Sequence, residues 1–331
     1  MKRLALEFLQ GCGMFGLARV ASARMARILM YHNFCADGEG LSDHVSVSVL
    51  RRQLQYLSRH FRVVSLSQLI AQLRAGQPLD NHTVVLTIDD GRRNCYQYLY
   101  PLLREFRMPA TFFVVSSFIR GESWIWTDKV LWLADRTKRP DFLAGERIDA
   151  FFAFLNRLHP EVRDAHIEAL SMTMGVHIPD NPPPKYAPCS WSELREMTDS
   201  GLVEIGSHTV SHPILATLND EESWSELAAS REQIEEGLGG EITAFCFPNG
   251  KPEDFRASQV EQLKAAGYAS AVVTRYGMVT EKANLYDLPR IGISGRTDPL
   301  IFSKYLDGAE YYQARLEGSL GVRAMAQSSA S

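Results

Sequence analysis

Short apolar, β-branched segments alternate with helical patterns along most of the chain. This alternation is typical of a parallel sheet whose strands are joined by crossover helices. The segments that we predict to be strands are 27–32, 62–65, 84–90, 110–115, 203–208, 243–248, 269–274 and 288–294. Seven or eight strands in this rhythm favour an α/β fold, an irregular (β/α)7-type barrel of parallel strands, over two separate sheets.

Helices are predicted where apolar residues recur at helical spacing. The positions that mark three of them are Leu50, Leu54, Leu57, Leu227, Ile234, Leu238, Val260 and Leu263. Ser190 and Glu193 predict a capping box that opens a fourth helix, which stops near Gly201.

The rhythm of the predicted barrel domain, residues 27–317, breaks between residues 121 and 188. This segment has a helical pattern, three tryptophans near one end (Trp124, Trp126 and Trp132) and three consecutive prolines near the other. We interpret it as a helical insertion after a barrel strand, either a lid over the site or a stabilising appendage. Residues 318–331 are small and polar, which predicts a disordered tail.

Residues 1–26 predict an N-terminal helix with Leu6, Leu9, Leu17 and Val20 along one side. Charged and polar residues interrupt the apolar run, so no stretch reaches the roughly 20 residues of a membrane span. The pattern favours a helix that lies on the domain; the alternative is a peripheral contact with a membrane surface.

The charge balance, 35 basic and 39 acidic residues with a net charge of -4, predicts no nucleic-acid partner. The five cysteines are widely spaced and form no C-x-x-C pair, which argues against a disulfide framework and a structural zinc site. We therefore expect a cytoplasmic protein, with association to the inner membrane as the alternative. A chain of 331 residues buries a core without a metal, so a bound metal would serve chemistry.

Polar motifs follow three of the predicted strands, where barrel active sites assemble. They are Asp89-Asp90-Gly91, His208-Thr209-Val210-Ser211-His212 and Pro248-Asn249-Gly250. Neighbouring side chains of a strand point to opposite faces, so both aspartates serve one site only where the chain turns, as Gly91 permits. Each motif alone is also explained by a solvated turn. Together, two histidines and a carboxylate form a metal-ligand set with positions left open for water and substrate.

These motifs, with Thr87-Ile88 before the aspartates and Phe247 before the proline, resemble those of the NodB-homology polysaccharide deacetylases. That family comprises carbohydrate esterases that remove N-acetyl groups from glycans. The opening Ile28-Leu29-Met30-Tyr31-His32 and the stretch 191–212 look like the subgroup with a circularly permuted barrel, which includes poly-N-acetylglucosamine deacetylases. The resemblance spans residues 27–294.

The resemblance implies a role for each matching residue. Asp90, His208 and His212 would bind a divalent metal, most often Zn²⁺, and Asp89 would act as general base. His32 would protonate the leaving amine, since the imidazole of histidine changes charge near neutral pH. Pro248, Asn249 and Gly250 would contact the substrate, with the backbone N–H of Asn249 donating to the oxyanion. The implied partner is an N-acetylated glycan or a lipid-linked glycan precursor.

The chain departs from the family pattern in its third motif. Many members have an arginine there that keeps the base carboxylate ionised, whereas this chain has Cys246 and Phe247 in that region. Arg290, on another strand, would replace it; a surface ion pair is the alternative. Asn249 also stands where the family usually has an aromatic residue.

The sequence thus predicts a metal-dependent hydrolase that removes N-acetyl groups from a polysaccharide or its precursor. Two alternatives stay open. One is a non-catalytic relative that binds glycan. The other is a non-haem iron enzyme with the same two-histidine, one-carboxylate ligands, in which Asp89 has no evident role. A thiol hydrolase that uses Cys35 or Cys246 has no supporting spacing.

Overall fold

Seven parallel strands close into a barrel in the computed structural model, which describes residues 4, 7–8, 11–39, 43–136 and 146–319. The strands in chain order are β1 (Arg27–Tyr31), β2 (Phe34–Cys35), β3 (Val45–Ser46), β4 (Arg62–Val63), β5 (Thr83–Ile88), β6 (Ala110–Val114), β7 (Val203–Ser207), β8 (Ala244–Cys246), β9 (Ser270–Tyr276) and β10 (Leu288–Gly292). The ring runs β1-β10-β9-β8-β7-β6-β5 and closes where β5 pairs with β1 over five positions. The predicted (β/α)7-type barrel is confirmed.

The remaining strands lie outside this ring. Strand β4 adds to β5 near its start, and β2 and β3 form a separate parallel pair. All eight predicted strands are present, although several end one or two residues earlier than predicted. His32 and His208 therefore stand just after β1 and β7 rather than within them.

Helices cover the outside of the barrel and occupy the segment between β6 and β7. In chain order they are α1 (Met14–Ala21), α2 (Val47–His60), α3 (Leu66–Arg74), α4 (Tyr100–Phe106), α5 (Ser116–Ile119), α6 (Trp126–Ala134), α7 (Glu146–Leu155), α8 (Pro160–Met174), α9 (Trp191–Asp199), α10 (Asp220–Leu238), α11 (Ala257–Ala265), α12 (Pro299–Leu306) and α13 (Ala309–Ser319). A single π-helical turn, Cys95–Leu99, precedes α4. The four predicted helices are α2, α9, α10 and α11, and Ser190 and Glu193 form the predicted capping box of α9.

The two faces of the barrel strands belong to different apolar clusters, as the period of two along a strand requires. The inner cluster takes one residue from each of six strands and is covered by α3; its strand members are Ile28, Val85, Phe113, Cys246, Val272 and Leu288. The alternate residues pack outward against the helices. The interior of the barrel is therefore filled, and the site lies at its carboxyl-terminal end.

The segment between β6 and β7 contains the expected helices, α6, α7 and α8. Its tryptophans pack with one another and with Phe152 and Tyr186 in a cluster separate from the barrel core. The limits 121 and 188 stay a prediction, and residues 137–145 lie outside the described residues.

Helix α1 rests on the domain through a face that the sequence did not indicate. Phe15 is buried, whereas Leu17 and Val20, on the apolar side that the sequence indicates, are 66% and 70% exposed. Leu6 and Leu9 lie outside the described residues. Within the described ranges, none of the helices is both long and apolar enough to cross a bilayer. Membrane-surface contact and cellular location stay predictions.

The carboxyl-terminal tail begins later than predicted. Helix α13 continues to Ser319, so residues 318 and 319 are helical rather than disordered. Residues 320–331 lie outside the described residues, and their disorder stays a prediction.

Gly206 on β7 allows the strands to pack closely inside the barrel. A Cβ there would come within 2.5 Å of the Phe113 ring and 2.9 Å of the Ala244 carbonyl oxygen. We expect Gly206→Ala to lower the free energy of unfolding by about 1–3 kcal/mol, because an added methyl forces the packed ring and strand to move. Urea denaturation measures this change. Gly240→Ala, whose Cβ meets nothing within 4 Å, is the control and leaves stability within about 0.5 kcal/mol.

Candidate active site and metal centre

The end of β5 carries two buried aspartates, Asp89 and Asp90. The chain turns sharply after them: Asp90 has a φ of 78° and Gly91 a φ of 82°. A Cβ at Gly91 would come within 3.0 Å of the Val114 and Ile119 side chains, so only glycine fits this turn. The turn brings both carboxylates to the mouth of the barrel.

The second motif begins directly after β7 and brings two imidazoles to the Asp90 carboxylate. Nε2 of His208 and Nε2 of His212 each lie 3.6 Å from Asp90 Oδ1. Nδ1 of His208 hydrogen-bonds the carbonyl oxygen of Cys246 at 2.7 Å. That contact requires the proton on Nδ1 and leaves the lone pair of Nε2 directed at the space beside Asp90.

This arrangement fits a divalent metal ion. Atoms bound at about 2.1 Å to a tetrahedral ion lie about 3.4 Å apart, close to the two 3.6 Å separations. Burial lowers the pKa of His208, and burial together with His208 lowers the pKa of His212 to about 3. Both rings are therefore neutral at neutral pH, the form that binds metals.

Asp89 faces a different partner, Arg290 of β10. Its two carboxylate oxygens accept hydrogen bonds from Arg290 Nη1 and Nη2, each at 2.7 Å. Burial alone would raise the pKa of Asp89, but the adjacent guanidinium outweighs it and holds that pKa below its usual value. Arg290 is fully buried, so it takes the place at Asp89 that the sequence suggested and forms no surface ion pair.

His32 lies beside the same carboxylate. Its Nε2 is 3.7 Å from Asp89 Oδ2, and 31% of its side chain is exposed, unlike the buried metal-ligand set. A histidine at the edge of the site can reach a substrate atom that enters from solvent.

Cys246 forms part of a second cluster, with Asp89 and His208, whose ligand atoms lie within 4.8 Å of one another. This cluster suits a metal less well. Both oxygens of Asp89 are held by Arg290, and Nη2 of Arg290 also lies 3.1 Å from the Cys246 sulfur. Burial raises the pKa of the Cys246 thiol well above its usual value, so it stays protonated and is a poor ligand.

The third motif forms a turn after β8. Asn249 has a φ of 58°, and its side chain donates to Asp254 Oδ2 at 2.7 Å. Asp254 Oδ2 also accepts from the backbone N–H of Lys251 at 2.7 Å, which ties the two sides of the turn together. The side chain of Asn249 is therefore occupied by the protein itself, and its carbonyl oxygen accepts from Thr274 Oγ1 at 2.6 Å.

A family model described as polysaccharide deacetylase matches residues 76–271, more than half of the chain. The chain belongs to the polysaccharide deacetylase family. The matched range contains all three polar motifs and does not include His32 or Arg290.

Curated relatives of this family member include the poly-β-1,6-N-acetyl-D-glucosamine N-deacetylase of Escherichia coli K12. It is 37% identical over 154 residues, which is 45% of this chain and 20% of the relative, so the match spans a fifth of the relative's length. A polysaccharide deacetylase of Bacillus subtilis, YxkH, is 21% identical over 85% of this chain and 75% of its own length.

Among solved structures, the Streptococcus pyogenes deacetylase PplD in complex with acetate has a TM-score of 0.60 at 17% identity. It covers 86% of this chain and 99% of its own. IcaB from Ammonifex degensii has a TM-score of 0.57 at 19% identity and covers 86% and 97% of the two chains. These likenesses establish a shared fold.

The polysaccharide deacetylase motifs of this chain hold a strained backbone. Of the described residues other than glycine, six have a positive φ, and four of them lie in the motifs: Asp90, Thr209, His212 and Asn249. Such conformations cost about 1–3 kcal/mol each and persist where the surroundings fix them.

Glu226 of α10 fixes the loop between the two metal-site histidines. Its Oε2 accepts from the backbone N–H groups of Val210 at 2.7 Å and Ser211 at 3.0 Å, and its Oε1 accepts from Ser211 Oγ. The sequence did not predict a role for Glu226, because one glutamate on an acidic helix carries no sign that it faces a loop. Sixteen residues separate it from Val210.

Three further residues reach the site without having been predicted there. Arg92, next after Gly91, pairs with Asp90, and its guanidinium also binds Asp128 of α6. Trp126 of the same helix donates from Nε1 to the carbonyl oxygen of His212 at 3.1 Å. The position of Arg92 next to the Asp-Asp-Gly motif was a signal in the sequence for its place at the site. Asp128 and Trp126 carry no such signal, because their contacts depend on the tertiary fold.

We expect Glu226→Ala to weaken the loop between His208 and His212. Two partly buried backbone N–H groups would lose their acceptor, which lowers the free energy of unfolding by about 1–3 kcal/mol. Denaturant titration measures the loss. Glu232→Ala, an exposed residue of the same helix, is the control and leaves stability unchanged. Equal stability of the two variants would contradict the role given to Glu226.

Proposed function

We propose that the chain removes N-acetyl groups from a polysaccharide or its precursor, using water activated at a divalent metal. The observation that carries this proposal is the set of Asp90, His208 and His212, directed at one point, beside a second carboxylate that binds no member of the set. The match to a curated poly-β-1,6-N-acetyl-D-glucosamine N-deacetylase supports an N-acetylglucosamine polymer as the substrate class.

Asp90, His208 and His212 would hold the ion, most often Zn²⁺ in sites with this donor set. A bound ion of this kind lowers the pKa of a water molecule and polarises the amide carbonyl. The hydrogen-bonded pairing with Arg290 holds the pKa of Asp89 below its usual value. This keeps the Asp89 carboxylate ionised and able to accept the proton of that water.

In the remaining steps of the proposed reaction, each group at the mouth of the barrel has one role. Water oxygen bonds to the carbonyl carbon as Asp89 takes its proton, and the backbone N–H of Asn249 donates to the developing oxyanion. The bond from carbon to nitrogen then breaks, and His32 gives its proton to the leaving amine. The products are acetate and a free amino sugar.

Acetate release on N-acetylglucosamine oligomers, polymers and lipid-linked sugars tests the proposal, measured with added Zn²⁺ and with a chelator. We expect release on at least one polymer class and its loss after chelation. A chain that binds these glycans but releases no acetate would be a non-catalytic relative. Oxygen consumption with bound iron would indicate the non-haem iron chemistry.

Asp89 and His212 have separable tasks, and variants distinguish them. We expect Asp89→Asn to keep the metal and lower acetate release by about 10²–10⁴-fold, because the base is gone and the ligands stay. His212→Ala should lose both metal and activity. Metal content by mass spectrometry and acetate release are the two measurements, and His177→Ala, an exposed histidine, is the control. Full activity in Asp89→Asn would overturn the mechanism.

The role of His32 is tested by the nature of the leaving group. An amine must be protonated to leave, whereas the phenolate of an activated aryl acetate leaves without a proton. We expect His32→Ala to lower turnover of the N-acetyl substrate about 100-fold or more while hydrolysis of the aryl acetate and metal content stay near wild type. Equal losses on both substrates would assign the proton donor to another residue.

A further inference from the structure

Arg92 occupies a buried position behind the Asp90 carboxylate. Its Nη1 pairs with Asp90 Oδ2, while Nε and Nη2 bind the two oxygens of Asp128 at 3.0 and 2.8 Å. All three side chains are nearly excluded from solvent, with exposures of 6% for Arg92, 6% for Asp90 and 2% for Asp128. A buried guanidinium that binds two carboxylates in this way is a fixed part of the fold.

Because Arg92 pairs with Asp90, the two oxygens of the Asp90 carboxylate have different partners. Oδ2 is held by Arg92, whereas Oδ1 faces Nε2 of His208 and Nε2 of His212. Only Oδ1 is directed at the point where the three ligands meet. A carboxylate restricted to one ligand oxygen leaves more positions open for water and substrate.

Helix α6 touches two motifs of the site at once. Asp128 acts on Asp90 through Arg92, and Trp126 donates to the His212 carbonyl oxygen. The guanidinium of Arg163, on α8, lies 4.9 Å from the centre of the Trp126 ring and so ties the next helix to the same support. Helix α6 therefore contacts His212 directly and Asp90 through Arg92, and α8 contacts α6.

We propose that Arg92 and Asp128 are positioning residues that restrict Asp90 to a single ligand oxygen, and that α6 is an integral support of the metal centre. The proposal rests on the proposed function, since it requires a metal at Asp90, His208 and His212. Residues that hold the ligands of a metal typically change its affinity 10–100-fold when they are replaced.

A charge-neutral double variant isolates positioning from electrostatics. Arg92→Met with Asp128→Leu removes one positive and one negative charge together, so the net charge around Asp90 is unchanged, and the carboxylate of Asp90 is the one buried charge that loses its arginine partner. We expect the Zn²⁺ dissociation constant, measured by competition with a coloured chelator, to rise about 10–100-fold. We also expect the visible absorption of the Co²⁺-loaded protein to change, because a released Oδ2 alters the ligand geometry.

The matched control removes the neighbouring ion pair in the same way. Arg93 Nε binds Glu193 Oε1 at 2.7 Å away from the metal ligands, and Arg93→Met with Glu193→Gln keeps the net charge and the capping box. This control should keep the wild-type Zn²⁺ affinity and Co²⁺ spectrum. Wild-type values in the folded Arg92→Met/Asp128→Leu variant would overturn the proposal.

If the double variant does not fold, the single variant Arg92→Lys tests the positioning role instead. Lysine keeps the positive charge but presents a single point donor, which cannot hold two carboxylates in a fork. We expect its Zn²⁺ dissociation constant to rise at least about fivefold with an altered Co²⁺ spectrum, and wild-type values for both would overturn the proposal. His212→Ala distinguishes a failure of the proposed metal site from a failure of the positioning role. If His212→Ala binds Zn²⁺ as the wild type does, the proposed metal site is wrong. If it loses Zn²⁺, only the positioning role of Arg92 and Asp128 is in question.

Discussion

Two neighbouring carboxylates buried at the end of β5 impose the constraint on which the rest of the site depends. A buried charge is costly unless it is paired, and like charges side by side repel. Asp89 and Asp90 therefore each have an arginine of their own, Arg290 from β10, two strands away around the ring, and Arg92 from the adjoining turn. The two carboxylates therefore have different surroundings, although they follow the same strand. Arg290 holds both oxygens of Asp89, whereas one oxygen of Asp90 stays directed at the imidazoles of His208 and His212.

The sequence predicts those parts of the molecule that depend on local pattern. Each barrel strand is a short apolar run, and its polar end marks the mouth of the barrel, so the positions of Asp89, Asp90 and His208 directly after strands were predicted. Asp128, 36 residues beyond Arg92, was not found because their pairing follows from no periodicity. The side of α1 that meets the domain, where Phe15 is buried, was not predicted for a related reason. An apolar stripe shows that a helix is amphipathic but not on which side the domain lies.

The strained loops of the site are held by acids that take no direct part in the metal-ligand set. Glu226 accepts two backbone N–H groups behind the histidine loop, and Asp254 accepts one behind the turn at Asn249. The same physical device, a carboxylate that satisfies backbone donors of a turn, is therefore used twice, because left-handed residues expose N–H groups that a regular strand would pair.

The first and last of the described strands, β1 and β10, pair side by side in the barrel, with Leu29 beside Ile291. Contacts between residues so far apart in sequence form slowly, since the whole intervening chain must be ordered before they give any stabilisation. Arg290 arrives on that same strand. During synthesis the ring therefore stays open, and Asp89 stays without the counter-charge of Arg290, until β10 has left the ribosome.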